Sequence, residues 1–257
     1  GKIMNGEVYQ IASIVSAAKK ALKENRDITY LPQKYVQDVL FRFVSVHGEE
    51  HYIAKNISEW FEQLKQRKIE DIKLLLPYEV KDRSRLGFSN QSGSMILCFY
   101  QDRQVTFFRP YWEFSDKARM WTIYYTENVW ENPPANKPNF QNNENELKKC
   151  LEEARDLAEK IDCGHFATIF AKAIEVLEKK DEGPDRGYGL VLPQLPEEQL
   201  RIFEAVSQAD VFGAMGSWND EPPYMAQQKG LGDEYDRISQ ELLKNNRLAL
   251  LYAVNEW

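Results

Sequence analysis

The sharpest match to a known chemical arrangement in this chain is His47-Gly48-Glu49-Glu50-His51. It fits H-x-x-E-H, in which two imidazoles on one helical face hold zinc and the glutamate between them serves as general base. Such a site needs a third ligand from elsewhere, for which Glu127 or Glu131 would serve. Gly48 weighs against a helix there, since it costs about 1 kcal/mol relative to Ala in a helix interior. A polar turn is the plainer reading, so no metal or cofactor is expected, and a hydrolase built on His47, Glu50 and His51 stays a third alternative. Cys163 and His165 stand two residues apart around Gly164, a spacing that suits a turn better than a thiolate–imidazole pair. The glycines at 87, 93, 213 and 216 form no phosphate-binding loop, and Ser217 lacks the flanking glycines of a nucleophile elbow.

Two other groups of residues suggest binding rather than bond-breaking. Trp130-Glu131-Asn132-Pro133-Pro134 and Trp218-Asn219-Asp220-Glu221-Pro222-Pro223 each set an indole beside carboxylates and a stiff Pro-Pro step, a composition suited to ordered, acidic loops. With the rings as anchors and the carboxylates as charge partners, Trp130, Glu131, Trp218, Asn219, Asp220, Glu221 and Tyr224 form a candidate protein-binding surface. Trp218 lying across its own helices as a core lid is the competing reading. The second group lies in residues 81 to 125, where Lys81, Arg83, Arg85, Arg103, Arg109, Lys117 and Arg119 outnumber Asp82, Asp102, Glu113 and Asp116 amid many aromatic rings. Arg83, Arg85, Arg109 and Trp121 would there hold an anionic or planar ligand. A half-buried sheet with its rings inside and its charges outside accounts for the same residues.

Composition narrows the partners. A net charge of -7 opposes the clustered basic charge that nucleic acid requires, so nucleic acid is not an expected partner. No apolar run approaches the ~20 residues of a membrane helix, so no membrane is expected either. The three cysteines, Cys98, Cys150 and Cys163, cannot all pair and form no CxxC array, which points to free thiols in a reducing, cytoplasmic setting. Gly1 opens no apolar signal core. With 257 residues the chain buries about 70% or more of its unfolded surface without a staple.

Period decides the elements that must position these groups. Val8, Ile11, Val15, Ala18 and Leu22 share one face of a helix, and Tyr35, Val36, Val39, Leu40, Phe43 and Val44 repeat that spacing up to Gly48. Asn56 with Glu59 caps a third helix bearing Ile57, Trp60, Phe61 and Leu64. The period then shortens, predicting strands over 72–76, 95–100, 105–108 and 121–126, with the second and third joined as a hairpin. The Pro- and Asn-rich run from Glu131 to Glu146 reads as a boundary or surface crossing. Beyond it helical stripes return at Leu147 to Ile161, Phe166 to Leu177, Pro196 to about Val211, and Tyr235 to Tyr252.

The expected fold is α+β: helices, a central antiparallel sheet of about four strands, then a helical C-terminal half. Residues 1–140 and 141–257 form its two regions, separate or packed as one. The expected function is non-catalytic, a cytoplasmic binding module of adaptor or toxin-neutralising type whose acidic, Trp-bearing surface engages a basic protein. An enzyme or small-ligand binder with a basic aromatic pocket on the sheet is the alternative.

Overall fold

The computed structural model describes residues 5–44, 50–179 and 191–257. Helix α1 (Gly6–Lys23) starts where the Asn5 side chain accepts the backbone N–H groups of Glu7 and Val8, and ends with Lys20 and Lys23 in its last turn, both favourable to the helix dipole. It is buried on nearly every side, because it lies between the sheet and the C-terminal helices. Helix α2 (Ile57–Gln66) is capped by Asn56, whose side chain accepts from Glu59 N–H at 2.8 Å. The Glu59 carboxylate reaches back to Lys55 N–H at 2.8 Å, one residue before the position a capping box would use.

The segment read as a second helix is a strand. β1 (Val36–Val44) buries Val39, Phe41 and Phe43 on one side while Leu40, Arg42 and Val44 point to the other. Its apolar residues occupy both faces, so positions spaced by three and four satisfied a helical pattern that an alternating backbone also fits. β2 (Glu50–Ala54) returns antiparallel to it, pairing Arg42 with Ile53 and Phe43 with Tyr52. The remaining strands follow as an antiparallel meander: β3 (Ile69–Leu75), β4 (Met95–Tyr100), β5 (Val105–Ser115) and β6 (Met120–Val129). β1 lies parallel to β6, giving a six-stranded mixed sheet in the order β2-β1-β6-β5-β4-β3. The fold is α+β, with a sheet two strands larger than the sequence suggested and mixed instead of purely antiparallel.

Two asparagines finish this sheet where strands lack a neighbour. Asn255 accepts from Leu74 N–H at 2.7 Å and donates to Leu74 C=O at 2.8 Å, standing in for a further strand beside β3. Asn90 treats Trp112 the same way, at 2.7 and 3.0 Å, where β5 outruns β4. Both satisfy groups that would otherwise invite pairing with another chain. Pro110 stands within β5 beyond the stretch that β4 pairs, where its missing N–H is tolerated.

Five further helices complete the described chain: α3 (Glu144–Lys160), α4 (Gly164–Leu177), α5 (Glu197–Ala209), α6 (Pro222–Gln228) and α7 (Gly232–Asn255). One continuous apolar core joins Ile14 of α1, Phe41 and Phe108 of the sheet, Leu151 of α3, Phe170 of α4, Phe203 of α5 and Leu250 of α7. Phe41 is stacked between Trp60 and Tyr125, with ring centroids 4.4 and 5.0 Å away. None of the described helices covers the opposite face of the sheet, and its outward side chains decide what it can do.

Candidate docking face of the sheet

Strand alternation divides this outer face into two unlike halves. Over β3, β4 and the start of β5 it is apolar: Leu97, Phe99 and Val105 are buried, with Leu75, Met95, Phe107 and Trp130 packed around them. The Pro-rich crossing after β6 lies over these residues. Lys73 donates to Pro138 C=O at 2.7 Å, Lys137 stands 5.2 Å from the Phe99 ring, and Phe140 N–H is accepted by Glu256 at 3.2 Å. An apolar sheet face needs a cover, and the segment with the least helical or strand character provides it.

Over β1, β6 and β5 the same face is open, and strand register sorts its side chains into three rows. Arg42, Thr126 and Arg109 are aligned across the strands; next come Leu40, Tyr124 and Tyr111; then Asp38, Thr122 and Glu113. Tyr111 is 55% exposed, and Arg42, Arg109, Asp38 and Glu113 are all exposed. The Arg42 guanidinium lies 4.7 Å from the Tyr124 ring centre and that of Arg109 lies 5.3 Å from Phe107. Among the described residues neither arginine has an ion pair with a carboxylate, and neither Asp38 nor Glu113 has one with a cation. The open half is therefore a band of rings and a leucine, edged by two unpaired cations on one side and two unpaired anions on the other.

The residues expected at a binding surface are dispersed. Trp218 is fully buried: its indole N–H donates to Ser239 at 2.8 Å, its ring lies 5.2 Å from both Phe166 and Phe170, and its carbonyl accepts from the Tyr235 hydroxyl. It is the core lid and cannot serve as an anchor. Asn219 donates to Arg83 C=O at 3.0 Å, Asp220 accepts from Gly216 N–H at 2.8 Å, Glu221 precedes α6, and Tyr224 is exposed on that helix. Trp130 belongs to the outer-face cluster and Trp218 to the main core, so the sheet lies between them. Glu131 is exposed in the crossing. The two Trp-Pro-Pro loops do not form one patch.

The alternative ligand residues also part. Arg83 is held against α7 by Asp236 at 3.0 Å and Gln240 at 3.1 Å, and Arg85 donates to Gln91. Trp121 packs with Trp112 and Phe114 at one end of the inner face, with centroids 5.7 and 5.1 Å apart, while Arg109 points outward. The four therefore stand on separate parts of the described fold.

His47 lies outside the described residues, whereas Glu50 and His51 open β2, a strand and not the helix that would place both imidazoles on one face. Glu127 is buried and committed, accepting from Arg67 at 2.8 Å and from Val44 N–H at 3.3 Å. Among the described residues no three His, Cys, Asp or Glu side chains are disposed to hold a metal. Burial pushes the Cys98, Cys150 and Cys163 thiols above their ordinary range, Cys150 to about 11, which disfavours the thiolate a nucleophile needs. No helix among the described residues is long and apolar enough to cross a membrane.

The open face had a legible half. Arg109, Tyr111, Glu113 and Tyr124 stand in segments that read as basic, aromatic and strand-like, but Asp38, Leu40 and Arg42 were hidden by the helical spacing of β1. Phe41 and Phe43 alternating with Arg42 is the signal that recovers them. No protein-family model, curated protein or solved structure matches this chain. Fold and site together define an α+β protein with one sheet face half sealed and half free.

Proposed function

We propose that this is a non-catalytic, cytoplasmic protein-binding module that docks its partner on the open half of the outer face. The surface differs from the one the Trp-Pro-Pro loops suggested, and the class of function is the same. One observation carries the reading: a row of apolar and aromatic side chains lies between two unpaired arginines and two unpaired carboxylates. Aromatic residues and arginine are the types that anchor interfaces, and charges of both signs fix the orientation of whatever docks. The carboxylate row disfavours a phosphate backbone, in keeping with the net charge of -7.

Photo-crosslinking tests this directly. A benzophenone amino acid replacing Tyr111 is expected to give a discrete protein adduct in cells, and the adduct should vanish when Arg42 and Arg109 are both changed to Glu. The same probe replacing the exposed Lys149 of α3 should give none. No adduct at position 111, or the same adducts at both positions, would overturn the reading.

A further inference from the structure

The three rows have a symmetry that names an occupant. Neighbouring strands are about 4.8 Å apart and alternate residues along a strand about 6.8 Å apart. On that grid Arg42 and Asp38 lie on β1 at equal distances on either side of Leu40, and Arg109 and Glu113 lie on β5 at equal distances on either side of Tyr111. Turn a second copy by 180° about an axis running along the ring row and lay it face to face on the first. Arg42 of each copy then comes over Asp38 of the other, Arg109 comes over Glu113, and Leu40, Tyr124 and Tyr111 meet their own counterparts. We infer that the open face is an isologous interface and that its partner is a second copy of this chain. This rests on the proposed use of that face for docking and specifies what docks there.

Several physical features favour this occupant over others. The patch meets the requirement of a two-fold interface, that one surface be complementary to itself. Four ion pairs form, and each pairs charges that have no ionic partner within the described chain. Face-to-face sheets pack about 10 Å apart at roughly -30°, a gap that arginine and carboxylate side chains reaching from both sides can close. The alternative rotation, about an axis parallel to the strands, sets Arg42 over Arg109 and Asp38 over Glu113, so like charges exclude it. A uniformly acidic partner would meet the carboxylate row and a uniformly basic one the arginine row. Three strands by three rows, flanked by Phe107 and by Ile53, make a small patch at the low end of specific interfaces, so the dimer should form at about micromolar concentration or above.

Sedimentation of the full chain across about 1 to 500 μM provides the test. The unchanged protein should pass from monomer to dimer, and added salt should weaken the association. The double variant Arg42→Glu/Arg109→Glu and the double variant Asp38→Arg/Glu113→Arg should each lose at least tenfold in self-affinity. An equimolar mixture of the two should recover dimer, because every row then faces its opposite. All four positions are exposed, and circular dichroism of each variant verifies that it is folded. A monomer throughout the range, a dimer indifferent to both double variants, or a mixture that stays monomeric would overturn self-docking. In that event an adduct at position 111 containing a different protein would leave the binding function standing, and the absence of any adduct would remove both.

Discussion

Trp130 and Trp218 open segments of nearly the same composition, yet one ends on the outer face of the sheet and the other among the helices on its far side. Trp218 is sealed among Phe166, Phe170 and Tyr235 with its N–H paired to Ser239, whereas Trp130 is half-buried over Leu97, Phe99 and Val105. An indole beside prolines and carboxylates thus specifies a corner of the chain and not a binding surface. What each ring does is set by the apolar surface nearest to it: a cage between helices in one case, a strip of sheet in the other. Beyond the strip Trp130 covers, the outer face turns mixed in charge and needs no cover.

Substitution separates the two rings. Trp218→Ala should cost about 3–5 kcal/mol in urea or thermal unfolding, as expected of a large ring removed from a closed cage. A loss below about 1 kcal/mol would mean that the cage does not hold the helices together. Trp130→Ala should cost less, about 1–2 kcal/mol, because one side of the ring is already wet. A penalty equal to that of Trp218→Ala would erase the distinction between core and cover. Tyr111→Ala, on the uncovered half, should change stability by no more than about 0.5 kcal/mol while abolishing the proposed docking. A large loss of stability there would mark the open rings as structural.

A subtler test concerns the inner face, where polar groups are enclosed. Glu7 of α1 is buried, with one carboxylate oxygen accepting from Asn90 N–H at 2.7 Å and the other without a protein partner. Burial raises its pKa above the ordinary carboxyl value despite that hydrogen bond. The folded state therefore holds the proton more tightly than the unfolded chain. The stability this contributes is complete below the unfolded-state pKa and is lost as pH rises through the folded one. Glu7→Gln should remove that part of the pH dependence and be the more stable protein at neutral pH. Denaturant titrations at pH 4 and pH 7 check this, and an unchanged fall in stability between them would locate the effect elsewhere. Tyr125, whose hydroxyl is buried without a protein partner, and Tyr30 and Tyr35 face the same region, and burial keeps all three phenols protonated across this range.

Much of the fold was legible before the structure. The apolar stripe from Val8 to Leu22, the Asn56 cap with Glu59, the hairpin around Gln101 to Gln104 and four of the five C-terminal helices follow from local periodicity and capping, which depend on residues a few positions apart; α6 was not foreseen, because Pro222-Pro223, read as a loop, opens that helix at its first two positions. β1 was misread, because apolar residues on both of its faces also satisfy helical spacing and outweigh the short Phe41-Arg42-Phe43 alternation. Its misreading also concealed half of the candidate site.

Composition and period alone determined that this chain is an α+β protein with free cysteines, no long apolar helix and an acidic balance, since these depend on residue types and near neighbours. Which tryptophan is core, that β1 lies parallel to β6, and that arginines 67 positions apart stand in one row across three strands emerge only when the chain is folded. Register between strands distant in sequence is set by side chains packing on both faces of the sheet at once, and no local pattern carries it.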